Sequence, residues 1–153
     1  MADQLQFDIT AAHKYFSAEN FNKTWEYIEK PNRSQEDDMV MLHTAIASLW
    51  HWTQRDDVTP ENLSVGYWQV SRVFCLVGQP DNARMYGLLS LKYAEKLEAF
   101  FKGYAYETLA RAEMQSGNRV AMRFHLEKAH EMAGRVSDEE DKQILLKDLE
   151  TIK

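Results

Sequence analysis

The chain has 153 residues, 44% of them hydrophobic, with four Trp, seven Tyr, seven Phe, only three Pro and six Gly, and a formal net charge of −6. A chain of this length buries about two-thirds of its unfolded surface as one domain, residues 1–153, and its aromatic content excludes extended disorder. The acidic balance argues against nucleic acid as a partner, no run reaches the ~20 apolar residues of a membrane span, the start MADQLQFDIT lacks an export leader, and the lone Cys75 cannot form an internal disulfide, so a cytoplasmic chain with no membrane partner is expected.

Ile9, Ala12, His13, Phe16, Phe21, Trp25 and Ile28 recur at helical spacing, with Thr10 as a candidate cap. A candidate interruption at Ala18 to Asn20 leaves one long helix or two short ones, and Pro31 closes the segment. Ser34 and Asp37 stand in capping-box relation and open a helix over about 35–54, with an expected core stripe of Met39, Leu42, Ile46, Leu49 and Trp52 or Thr53. After a polar loop, Thr59 caps and Pro60 begins the helix that organises the chain. Leu63, Tyr67, Val70, Phe74 and Val77 form one stripe on it, and Trp68, Arg72 and Cys75 a second on the opposite side, so it is expected between two neighbours.

Gly78 and Pro80 separate that helix from one whose small residues, Ala83, Gly87, Ser90 and Ala94 with Leu97, allow close approach, while Leu88 and Leu91 widen its apolar surface. A helix over about 101–115 follows, and Gly117 breaks it. The next carries Val120 and Phe124 together with Met122, Leu126, Ala129 and Met132. Ser137 and Glu140 have capping-box spacing and start a last helix with stripe Leu145, Leu149 and Ile152, flanked by Ile144 and Leu146. The expected fold is all-α, about seven helices stacked as antiparallel hairpins, the last a capping helix.

Gly78 and Gly117 lie 39 residues apart (117 − 78), each between an aromatic-rich helix and a second helix. Counted from them, Tyr67, Val70 and Ser71 match Tyr106, Leu109 and Ala110, and Ala83, Gly87 and Ser90 match Met122, Leu126 and Ala129. This pattern resembles the tetratricopeptide repeat, whose first helix carries an aromatic, a Leu and a small residue and whose second carries spaced small residues. The chain departs from it in lacking a proline after each second helix and in exceeding the 34-residue period. The resemblance implies a right-handed array with a concave inner face. The segments HTAIASLWHW, GYWQVSRVF and GYAYETLARAE are also similar to a bacterial family of small helical proteins, which implies a bacterial origin and no catalytic residue.

In the tetratricopeptide register the inner face carries Val65, Trp68, Gln69 and Arg72 on one helix and Tyr104, Glu107, Thr108 and Arg111 on the next, with Arg72 brought near Glu107. His51, with His43, is expected to approach from the preceding helix. Such a cluster could hold an anionic peptide or small ligand, but the plainer account is an internal ion pair bracketed by aromatics, since a half-buried Arg normally requires a carboxylate partner. Glu127 and His130 have the spacing of di-iron bundles without a second copy, and His13, His43, His51 and His125 are scattered, so no metal and no other cofactor is expected. Cys75 reads as a small core residue, and no nucleophile elbow or phosphate loop is present. The function expected is therefore a non-enzymatic module that holds a peptide or helix of another protein, the alternative being a small-ligand sensor or enzyme; a homodimer is a further expectation.

Overall fold

Residues 7–153 are described by a computed structural model in which seven α-helices and no strand appear: α1 (Ile9–Ile28), α2 (Gln35–Thr53), α3 (Pro60–Leu76), α4 (Pro80–Ala94), α5 (Ala99–Ser116), α6 (Arg119–Arg135) and α7 (Glu139–Leu149). The leader-free reading of the start rests partly on residues 1–6, which lie outside the described residues. No helix among the described residues is long and apolar enough to cross a membrane.

Local chemistry sets the boundaries. Ser34 and Asp37 exchange side-chain and backbone hydrogen bonds at the start of α2, and Thr59 and Asn62 do the same at α3. Gly78 and Gly117 have φ of 79° and 78°, the left-handed conformation that lets a helix end and the chain reverse. Behind them the Gln79 amide donates to the Phe74 carbonyl and the Asn118 amide to the Glu113 carbonyl, the same bond 39 residues on (118 − 79). Two starts differ from expectation. α1 is one uninterrupted helix capped by Asp8, not Thr10, and α7 is capped by Asp138, not Ser137, because the extended Val136 and the non-helical Ser137 form the connector from α6.

Short connections make neighbours antiparallel, and the closest pairings are α1 with α2, α3 with α4, and α5 with α6. α3 also packs on α2 and α5, as its two stripes predict, and α7 closes the array against α5 and α6. Met41, Ala45, Leu49, Val70, Val73, Phe74 and Ala83 form one core, and Ala110, Met122, Ala129, Leu145, Leu149 and Ile152 another.

The first hairpin departs from the apolar periods. α1 buries Ser17 and Thr24, whereas Ile9 and Phe16 are exposed. Thr24 Oγ1 lies 2.8 Å from the Asn20 carbonyl and 2.9 Å from Thr44 Oγ1, and Ser48 Oγ donates to the Ser17 carbonyl at 2.7 Å, so hydroxyls and the carbonyls beside them form this seam. The α2 stripe is rotated accordingly: Met41, Ala45, Ser48 and Leu49 are buried, while Met39 and Ile46 face outward. Val120 and Phe124 of α6 and Leu88 of α4 are likewise exposed.

Candidate functional site

The expected inner-face residues separate into three groups. Gln69 and Thr108 are buried fasteners: Gln69 Nε2 donates to the Phe21 carbonyl at 3.1 Å, holding α1 to α3, and Thr108 Oγ1 lies 2.7 Å from Ser71 Oγ where α3 and α5 cross. His51 lies elsewhere, its Nδ1 2.8 Å from Nδ1 of His13 at the α1–α2 seam, beside Trp50 and Phe16. His43 is exposed. Trp68, Arg72, Tyr104, Glu107 and Arg111 do come together, in an arrangement that differs from the expected one.

Glu107 does not take Arg72 as its ion-pair partner. One of its oxygens pairs with Arg111 Nε, one turn along α5, and the other accepts the Trp68 indole proton at 2.9 Å. An i, i+4 partner on the same helix needs no reach across the array, which is why Arg111 takes this place. Arg111 Nη2 also donates to the Asp148 carbonyl at 2.9 Å and to Thr151 Oγ1 at 2.6 Å, satisfying a carbonyl in the last turn of α7. Arg72 is half-buried and makes no ion pair or side-chain hydrogen bond among the described residues. Burial, aided by the nearby Arg111 charge and opposed by Glu107, lowers its guanidinium pKa.

Beside this polar layer lies a cavity of about 310 Å³ whose aromatic lining comes from three helices: Phe21 and Trp25 of α1, Trp68 of α3, and Phe100, Phe101 and Tyr104 of α5. Val65 and Ile144 add aliphatic surface, and Ser64 and Ser90 satisfy each other through hydroxyl-to-carbonyl bonds. The rings form a packed chain, with centroids 5.8 Å apart for Trp25 and Trp68, 5.5 Å for Trp68 and Tyr104, 5.1 Å for Tyr104 and Phe100, and 5.7 Å for Phe100 and Phe101. Most of these contacts are edge-to-face, the arrangement the ring quadrupoles favour. The one charged side chain in the lining is Asp148 of α7. Its Oδ2 accepts the Tyr104 hydroxyl at 2.7 Å, and burial followed by that bond pushes the Tyr104 pKa upward, keeping it a donor.

Two further hollows continue this cavity. One, of about 300 Å³, shares Phe21, Val65 and Phe101 with it and adds Trp52, Glu61 and Asn62; the other, of about 270 Å³, shares Phe100 and adds Glu98, Arg135, Asp138 and Asp141. Together they make a trough running from the α2–α3 side to the α6–α7 connector, with residues of α1 and of α7 in its walls. Of the expected inner-face set, Val65, Trp68 and Tyr104 line it. Phe21 and Trp25 stood in the sequence as an ordinary helical stripe, and the pattern FFxxY at Phe100, Phe101 and Tyr104 was the available signal for the rest.

Among the described residues no group of three or more His, Cys, Asp and Glu is placed to hold a metal ion, and Glu127 and His130 are both exposed. Burial pushes the Cys75 thiol up to about 12, which disfavours the thiolate. No protein-family model matches the chain, and no curated protein or solved structure matches it significantly.

Proposed function

We propose that the protein is a non-enzymatic interaction module whose aromatic trough holds a segment of another polypeptide. The observation that carries this is the six aromatic side chains around the central cavity, continued by a hollow at each end. Aromatic surface placed in a concavity supplies large contact area at small conformational cost. A trough of three adjoining hollows fits successive side chains along one face of a helix or peptide better than one compact molecule. The repeat resemblance supports the same reading, since such arrays bind through their concave face. A second reading, a small-ligand sensor, draws on the central cavity alone, whose volume lies at the lower edge of the ~300–1,000 Å³ of small-molecule pockets.

Filling the cavity separates binding from folding. Val65→Trp places an indole in the trough, and Val120→Trp places one on the exposed face of α6. A polypeptide retained from native extract by the wild type and by Val120→Trp, and lost with Val65→Trp, supports the reading. Retention by all three proteins removes the trough as the binding site.

A further inference from the structure

The trough is acidic along its whole length. Asp148 lies in the central cavity, Glu61 in one flanking hollow, and Glu98, Asp138 and Asp141 in the other. The single cation in these linings, Arg135, is engaged by Glu131 at 2.6 Å. Asp148 itself has no ion-pair partner among the described residues: Arg111 reaches its backbone carbonyl, and Tyr104 supplies the one hydrogen bond to its carboxylate. A half-buried carboxylate beside four packed rings and holding one neutral donor keeps acceptor capacity for a charged group. The ring faces carry negative quadrupole density and attract the same sign of charge. Arg72 and Arg111 lie near enough to feel the Asp148 charge, but among the described residues no cationic side chain pairs with its carboxylate.

On the reading that the trough binds a polypeptide, we infer that its occupant is a basic amphipathic segment that seats a lysine side chain among Trp25, Trp68, Phe100 and Tyr104 with its ammonium on Asp148. The lysine stem covers the rings while the ammonium meets the carboxylate and ring faces, a division natural to that side chain. The flanking carboxylates then face further basic residues of the segment, which gives complementarity along the groove and repels acidic competitors.

Three amphipathic helical peptides of about four turns, with identical leucine positions and with Lys, Gln or Glu at the polar positions, test this by calorimetric titration of the full chain. The Lys peptide is expected to bind about tenfold more tightly than the Gln peptide, and the Glu peptide more weakly than both. Asp148→Asn retains an oxygen for the Tyr104 hydroxyl and is expected to weaken the Lys peptide by about tenfold while leaving the Gln peptide unchanged. Glu127→Gln, the same charge change on the exposed face of α6, is expected to alter neither. If Gln and Lys peptides bind equally, or Asp148→Asn has no effect on the Lys peptide, the basic occupant is overturned and the aromatic trough stands. If no peptide binds, or if binding survives Val65→Trp, the trough reading fails and the inference falls with it.

Discussion

Trp68 and Glu107 are joined by an indole-to-carboxylate hydrogen bond of 2.9 Å across the 39 residues that also separate Gly78 from Gly117. The two residues occupy the same place in consecutive hairpins, so the bond fixes α3 against α5 at the level of the aromatic trough. Glu107 is 1% exposed, and through Arg111 the same carboxylate is connected to the last turn of α7. One buried acid thus sets the relative position of three helices that line the candidate site.

Removing that acid should be costly. Glu107→Ala leaves the Arg111 guanidinium, 6% exposed, without its counter-charge, and a loss of about 3 kcal/mol is expected by urea denaturation. Arg111→Ala should lose a similar amount, and replacing both by leucine should recover much of it. Arg72→Ala, which breaks no ion pair, should lose about 1 kcal/mol, the ordinary size of a substitution. Equal losses for Arg72→Ala and Glu107→Ala would contradict this assignment.

Much of the helical frame can be read from the sequence, because Ser34, Thr59, Pro60, Gly78, Pro80 and Gly117 act locally, through backbone groups within a few residues. The two-sided helix α3 and the small-residue stripe of α4 follow from side-chain period and size. The first hairpin does not, since periodicity detects apolar residues and its seam is built from Ser17, Thr24, Thr44 and Ser48. For the same reason the period that contains Phe21 and Trp25 marks a helical stripe and does not show that the two face the trough. Placement of Glu107 next to Arg111 rather than Arg72 depends on helix geometry that residue spacing allows but does not choose.

Glycine substitutions should separate by the space around each Cβ. A methyl group at Gly103 would lie 2.5 Å from Leu145 Cδ2 and 3.5 Å from Met132 Cβ, and Leu145 is fully buried, so Gly103→Ala is expected to destabilise by about 1–3 kcal/mol and loosen α7. At Gly134 of α6 a methyl group meets nothing within 4 Å, and Gly134→Ala should raise stability by about 0.5 kcal/mol. Thermal melts of the two variants should move in opposite directions.

Stability should decline as pH falls from about 7.5 to 5.5. Burial, reinforced by His13, holds His51 below its ordinary value, and burial does the same to His125. A depressed histidine contributes stability that is fully present above its unfolded pKa of about 6.5 and is lost as pH falls below it, by at most about 1.4 kcal/mol per pH unit for each group. The lowered carboxylates Asp37, Asp57 and Glu113 act in a separate window, keeping their contribution until pH falls through about 4. Urea midpoints across this range should shift less in His51→Gln than in the wild type. A rise in stability on acidification to pH 5.5 would contradict the sign.

Cys75 should report opening of the α3 core. Its thiol is buried and held near 12, so reaction with a thiol reagent at pH 8 should be slow in the folded protein and fast in denaturant. Rapid labelling of the native chain would show that this core opens readily.

The most direct measurement places a photo-crosslinking phenylalanine analogue at Val65 in the trough or at Val120 on the outer face of α6, and irradiates the protein in extract of its native source. The trough account predicts a polypeptide adduct of one defined mass from position 65 and none from position 120. Adducts from position 120 alone, or equal adducts from both, would contradict it.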